Sequence, residues 1–121
     1  MLVEEEKTGI YDVSGITQEQ EQRILDFLQG MVYAHCAIAP DELFFFKRLL
    51  GGDNRDWGDN PLQVLYDKHF AEVKNPYEAK RFAAMDAGSL LKKVLANEPE
   101  RCFEISKDSD HNQYKWIRQN L

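Results

Sequence analysis

Two histidines of this chain are candidate metal ligands. His35 and His69 each lie inside an apolar helical stripe, with Cys36 and Asp67 close by in the sequence. Imidazole, thiolate and carboxylate all bind zinc, but a zinc site needs three or four converging ligands with supporting partners. A core histidine whose ring nitrogens bond a neighbouring carbonyl or carboxylate is the more common outcome. We therefore predict that both histidines are structural and that the protein binds no metal or other cofactor.

The chain has no arrangement typical of nucleophilic or phosphate chemistry. Cys36 and Cys102 belong to no motif that would lower a thiol pKa, so we interpret them as small buried residues in a reducing compartment. No serine occupies a Gly-x-Ser-x-Gly turn. The glycine-rich loop of residues 51–60 contains three aspartates and lacks the Gly-Lys-Ser/Thr ending that cradles a phosphate. We predict a binding protein that is not an enzyme.

Side chains in the second half of the chain are the candidates for contact with DNA. A helical projection of residues 76–97 places several of them opposite the apolar arc, where Arg and Lys would meet phosphates or guanine. Glu78 and Asp86 flank this face, so an ordinary solvated helix face is the alternative. The DNA-contact candidates are four residues of this helix and two of the hairpin predicted after it: Arg81, Ser89, Lys92, Lys93, Lys107 and Lys115.

Aromatic residues near the middle of the chain are candidates for a protein interface. Phe44, Phe45 and Phe46 cannot all point inward from one helix, so at least one ring should lie on the surface or under another segment. Arg55 and Trp57 follow in a long loop, and these two residue types dominate interface hot spots. The alternative for Trp57 is that it covers the core beneath the loop. We predict a homodimer formed through residues 41–57.

The first half of the chain predicts two helices that would position these residues. Thr17 followed by Gln20 is a capping-box pattern, and the apolar residues after it recur on one helical face up to Pro40. This pattern predicts a helix over residues 18–38. A shorter helix is predicted over Glu42–Leu50, with Asp41 as its N-cap.

The second half predicts two more helices and a hairpin. Each helix follows an Asn-Pro pair, a typical start signal, and we expect them over residues 61–71 and 76–97. A break at Gly88 is an alternative for the second of them. Two segments rich in aromatic and branched residues, 101–106 and 113–118, flank a polar stretch and predict an antiparallel β-hairpin.

Length and charge limit the remaining possibilities. The chain has 121 residues and 43% hydrophobic content, which indicates one domain, over residues 17–121. The polar residues 1–16, with Gly9 and Gly15, predict a flexible leader, and a short strand around Ile10–Val13 is an alternative within it. The net charge of -6 disfavours a general binder of polyanions, and the cations concentrate in the second half. No run of 18 apolar residues and no signal peptide is present, so we expect a cytoplasmic protein without a membrane partner.

The predicted element order, four helices and then a hairpin, resembles a winged-helix domain over about residues 17–118. Leu90–Leu95 would end the recognition-type helix and Cys102–Ile105 would be the first strand of the wing. The expected class is mainly α with a C-terminal β-hairpin (α+β), and the resemblance implies a helix in the major groove and a wing on the DNA backbone. The stretch from Gly51 to His69 also resembles small uncharacterised bacterial proteins of mobile elements, which implies a stand-alone accessory protein but no particular activity.

Two functions are compatible with this sequence. The first is a DNA-binding accessory or regulatory protein of winged-helix type, and the second is a protein-interaction module that uses the same fold without nucleic acid. The surface charge distinguishes them. A positive stripe joining Arg81, Lys92, Lys93 and Lys115 would favour double-stranded DNA, whereas interruption by acidic residues would favour a protein partner. The acidic residues in question are Glu78, Asp86, Asp108 and Asp110.

Overall fold

A computed structural model describes residues 1–2, 10–50, 57, 59–108 and 111–118, and for residues 107, 108 and 111 the backbone alone. Its elements in chain order are α1 (Gln18–Ile38), α2 (Phe46–Leu49), α3 (Gln63–Val73), α4 (Pro76–Ala96), β1 (Cys102–Asp108) and β2 (His111–Ile117). The strands form a two-stranded antiparallel sheet. The predicted class, mainly α with a C-terminal hairpin, is confirmed for the described residues.

Helix α1 has the bounds that its capping pattern predicts. The Thr17 side chain accepts a hydrogen bond from the Gln20 backbone N–H at 3.0 Å, and the Gln20 side chain accepts one from the Thr17 N–H at 2.9 Å. This reciprocal pair satisfies two of the donors that the start of a helix leaves without partners. The residues that α1 buries are spaced four apart: Ile24, Leu28, Val32 and Cys36.

The helix predicted over residues 42–50 is present only as α2, and its predicted start and its N-cap Asp41 are wrong, since Phe45 is the N-cap. Phe44 instead pairs with Tyr114 of β2 through two backbone hydrogen bonds, Phe44 N to Tyr114 O at 2.8 Å and Tyr114 N to Phe44 O at 2.7 Å. This pairing buries the Phe44 ring against Phe103 and Tyr114. Only the four residues of α2 remain helical, because a tertiary contact outweighs the local preference.

The two Asn-Pro pairs behave differently. Asn75 caps α4 as predicted, since its side chain accepts a hydrogen bond from the Glu78 N–H at 3.1 Å. Asn60 instead accepts from the Leu62 N–H at 2.8 Å and forms a turn, so α3 begins at Gln63. Helix α4 continues through Gly88, and the alternative of a break there is therefore wrong.

The hairpin is antiparallel as predicted, and it runs two residues further toward its tip on each strand. Phe103 lies opposite Trp116 and Ile105 lies opposite Tyr114, so these four side chains share one face. Phe103 and Tyr114 are buried in the core. The sheet therefore packs its aromatic face against the helices and turns its other face outward.

Part of the predicted leader packs against the domain. Leu2 is buried and forms a parallel bridge with Phe103 of β1. Val13 is buried in the same core, which includes residues of α1, α3, α4 and both strands. Residues 10–16 thus run across the helices before α1 begins.

Candidate interaction surfaces

Two of the predicted DNA contacts are not on the surface. Ser89 and Lys92 keep only 4% and 7% of their surface exposed, so the projection that placed them on an open face of α4 is wrong. Tyr11 covers Ser89: its backbone N–H donates to Ser89 Oγ at 3.0 Å, and Ser89 Oγ donates to the Tyr11 carbonyl at 3.3 Å. A projection of one helix cannot show that another segment of the chain crosses it.

The other DNA-contact candidates whose side chains the structure describes, Arg81, Lys93 and Lys115, lie beside acidic residues. Arg81 is half exposed but donates to Glu78, and Lys93 is paired across helices with Glu21 of α1. The side chain of Lys107 lies outside the described residues. The carboxylate neighbours are Glu78 at 3.1 Å from Arg81, Glu21 at 3.8 Å from Lys93, and Glu104 directly opposite Lys115 in the hairpin register. The stripe that would favour DNA is therefore interrupted at each member that the structure describes.

The aromatic residues predicted to form an interface point mostly inward. Phe44 is fully buried, and Phe45 and Phe46 are half-buried. Trp57 is buried, and its ring packs edge-to-face on Phe46 with 5.7 Å between ring centroids. The alternative for Trp57, that it covers the core, is confirmed. Arg55 lies outside the described residues.

Both predicted structural histidines bond protein acceptors. His35 Nε2 donates to the Glu42 carbonyl at 3.0 Å, and its ring packs on Phe44 with 4.7 Å between centroids. His69 Nε2 lies 2.7 Å from a carboxylate oxygen of Asp86. A carbonyl can only accept, so Nε2 of His35 carries its hydrogen. The two imidazoles thus belong to separate clusters.

Asp86 is the largely buried centre of a polar cluster that sequence reasoning missed, since we expected this carboxylate to flank an open surface. Its Oδ1 accepts from the Tyr11 hydroxyl at 2.7 Å, and its Oδ2 accepts from Lys68 Nζ at 2.8 Å and from His69 at 2.7 Å. Tyr11, Lys68, His69 and Asp86 are called the Asp86 cluster below. It joins the residues before α1 to both α3 and α4.

The cluster shifts the pKa values of two of its members. Burial raises the pKa of Asp86, but hydrogen bonds from Lys68, Tyr11 and His69 outweigh it and hold the pKa of this carboxyl below its ordinary value. Burial and, after it, the hydrogen bond to Asp86 raise the pKa of the Tyr11 hydroxyl well above that of a free tyrosine. The carboxylate and the neutral phenol therefore stabilise each other.

Helix α1 has an outward face without charge. Residues 27–40 include no Asp, Glu, Lys or Arg, although one side of this stretch is open to solvent. Its exposed members follow the i, i+3, i+4, i+7, i+8 spacing by which a helix normally buries an apolar stripe. We call them the α1 outer face: Gly30, Tyr33, Ala34, Ala37 and Ile38.

The α1 outer face combines two large side chains with small ones. Ile38 is 83% exposed and Tyr33 is 43% exposed. The Arg101 guanidinium lies 4.9 Å from the centre of the Tyr33 ring and holds it in place from one side. A side chain added at Gly30 would begin in open space, because nothing lies within 4 Å of its Cβ position. The uncharged run of residues 27–40 was the sequence signal for this surface.

The outward face of α4 is more mixed. Tyr77 and Met85 are exposed there, but Arg81 lies between them with its Glu78 partner, and Lys80 is exposed beside them. An alternation of this kind is typical of a solvated helix. Of the two helix faces, that of α1 is the one with the character of an interface.

Comparison with known proteins gives no relative: no family model, no curated protein and no solved structure matches the chain. Among the residues that the structure describes, no helix has the length and apolarity needed to cross a membrane.

Proposed function

We propose that this chain is a protein-binding domain without enzymatic activity, and that it binds through the α1 outer face. The observation that carries the proposal is an exposed, uncharged helical stripe containing Tyr33 and Ile38. Exposed apolar area of this kind is unfavourable in water unless a partner covers it. Tyr33 is also pre-positioned by Arg101, which lowers the entropy lost when a partner binds.

The charge distribution supports a protein partner over nucleic acid. Most affinity for nucleic acid comes from phosphate neutralisation by Lys and Arg, whereas Arg81 and Lys93 have carboxylate partners within the chain. Lys92 is buried in α4. A net charge of -6 adds a long-range repulsion of phosphate. A DNA-binding winged helix is thus the competing hypothesis, and the same experiment tests both.

Site-specific crosslinking tests the binding surface. A benzophenone amino acid replaces Tyr33 in one version of the protein and Tyr77, an exposed tyrosine of α4, in another. After irradiation in the source cells, we expect position 33 to give discrete adducts with protein that survive nuclease treatment, and position 77 to give none. The absence of protein adducts from position 33 would contradict the proposal.

A duplex titration tests the competing hypothesis. At about 50 mM salt, where even weak phosphate contacts are favoured, we expect no saturable binding to random-sequence or source-genome fragments. Binding that is lost when the exposed cations are removed, in an Arg81→Ala, Lys115→Ala double variant, would instead establish the DNA function.

A further inference from the structure

We infer that the α1 outer face binds the same face of a second copy of this chain, with the two α1 helices antiparallel about a two-fold axis at Ala34. This inference rests on the proposed function and names its partner. It differs from the predicted homodimer through residues 41–57, whose aromatic side chains point mostly inward.

The shape of the face fits itself in this orientation. Gly30 and Ile38 lie four residues on either side of Ala34, one helical turn in each direction. An antiparallel pair centred on Ala34 therefore sets Ile38 of each copy over Gly30 of the other. The Ile38 side chain projects into solvent, whereas Gly30 has no side chain and has open space above it. The Ile38 side chain of each copy therefore fits over Gly30 of the other copy, and this contact occurs twice in one interface.

A parallel pair would not have this fit. It would place Ile38 against Ile38 and leave a gap where the two Gly30 residues met, and such gaps lose the packing contacts that stabilise an interface. Ala34 and Ala37, which lie between the two ends, are small enough for the helix axes to approach closely in either orientation. The positions of Gly30 and Ile38 thus determine the direction.

The absence of charge from the face is compatible with a second copy, and the charge of the chain disfavours an anionic lipid surface. No charged side chain lies within residues 27–40, and the Arg101 guanidinium that borders the face at Tyr33 already has Glu98 as its partner, so the contact leaves no ion without a counter-charge. Asp26 lies exposed before the face, and Asp41 lies exposed after it with Arg118 as its ion-pair partner. The net charge of -6 would repel an anionic membrane.

The size of the face indicates a weak dimer. Residues 30–38 span about 12 Å at about 1.5 Å per residue. An interface built on this length falls at the small end of specific protein contacts, which are typical of reversible association. We expect a monomer–dimer equilibrium with a dissociation constant in the micromolar range.

Two glycines provide matched variants for the test. Gly30 in α1 and Gly88 in α4 are both helical, and a Cβ at either position would meet nothing within 4 Å. Arginine is a better helix former than glycine, so neither substitution should unfold the chain. By sedimentation equilibrium we expect Gly30→Arg to weaken dimerisation by at least about tenfold and Gly88→Arg to leave it unchanged.

A mixing experiment tests the orientation. Gly30→Lys and Ile38→Glu should each weaken self-association. An equimolar mixture should recover dimers of one copy of each, because the antiparallel pair brings the new cation and the new anion together at one end and keeps the native contact at the other. Failure of the mixture to associate while the wild type dimerises would exclude the antiparallel pairing about Ala34.

The outcomes separate this inference from the proposed function. A wild-type protein that stays monomeric at every accessible concentration, or a dimer that Gly30→Arg does not weaken, overturns the inference. If position 33 still crosslinks to a different protein, the proposed function survives. Wild-type binding to neutral vesicles that Gly30→Arg abolishes, without dimers in solution, would assign the face to a lipid surface instead.

Discussion

The Asp86 carboxylate connects three segments of this small domain. It lies on α4 and holds Tyr11 of the leader together with Lys68 and His69 of α3. A buried charge is stable only when charged and hydrogen-bonding partners compensate its lost hydration, and three partners do so here. The carboxylate therefore ties three segments of the chain that are distant in sequence.

Asp86→Asn should lower the free energy of unfolding by about 2–3 kcal/mol at neutral pH, because it leaves the ammonium of Lys68 without its counter-charge. The folded-state pKa of Asp86 lies below its unfolded value, so this stabilisation is complete above the unfolded pKa and is lost as the pH falls through the folded pKa. Urea unfolding at a series of acidic pH values measures both effects. Asp67→Asn, which changes an exposed carboxylate of α3, is the control and should change little.

Tyr11→Phe should remove an alkaline transition. Burial and Asp86 raise the pKa of Tyr11, so its hydroxyl should ionise at higher pH than a free tyrosine. The stabilisation that comes from this raised pKa is complete below the unfolded pKa and is lost as the pH rises toward the folded pKa. The difference in ultraviolet absorbance between wild type and variant, followed through the alkaline range, isolates this group. Ionisation at the pH of a free tyrosine would contradict the hydrogen bond to Asp86.

For individual residues, sequence patterns identified those whose hydrogen-bond partners are close in the sequence and missed those whose partners are distant in it. The hydrogen bonds of Thr17 and Asn75 are made within three residues, and both were predictable. The partners of Asp86 and Ser89 come from segments that α4 meets only in the folded chain. A helical projection assigned both residues to open solvent for that reason.

Among the elements, helix prediction succeeded where caps and stripes agree and failed at residues 42–50. Helices α1 and α4 have side-chain caps and long apolar stripes, and their bounds match the predictions closely. The segment around Phe44 has enough helical character to predict a helix, but its backbone pairs with β2. Local propensity is a weak prior that a tertiary contact of this kind overrides.

Phe44→Ala should lower the free energy of unfolding by about 3–5 kcal/mol, as is usual when a fully buried phenylalanine is removed. Its ring contacts His35, Phe103 and Tyr114, so the loss should loosen the contact between α1 and the hairpin. Urea unfolding measures the stability, and hydrogen exchange at the Tyr114 amide measures the pairing. Phe45→Ala, at a half-buried neighbour, should lower the free energy of unfolding clearly less. Equal losses for the two variants would contradict the fully buried position of Phe44.

At the scale of the whole molecule, a net negative charge and the uncharged α1 outer face are the two surface properties on which the proposals rest. The element order and the class were predictable because helix and hairpin patterns are local. The α1 outer face was not recognised, since the apolar stripe assigns one side of this helix to the core, and the uncharged opposite side can be either open or covered until the neighbours of α1 are placed. Which side of a helix stays open depends on the packing of the remaining chain.

The direction in which added salt changes binding should distinguish self-association from nucleic-acid binding. Two copies with a net charge of -6 repel each other, and the contact that we propose is uncharged, so added salt should screen the repulsion and strengthen self-association. Nucleic-acid binding would weaken steeply with added salt because counterions are released. Sedimentation at several salt concentrations measures the first effect. Dimers that dissociate as salt rises would contradict an uncharged interface.

The short segments on either side of the hairpin limit how this protein can aggregate or be recognised. Leu2 bridges to Phe103 along the outer edge of β1, and Phe44 bridges to Tyr114 along the outer edge of β2. An open strand edge is a template to which another chain can add a strand, and such growth is how small sheets become fibres. Here the protein's own backbone interrupts the edge of β1 near its start and the edge of β2 near its middle. A chain that added itself along the full length of either strand would have to displace one of these bridges.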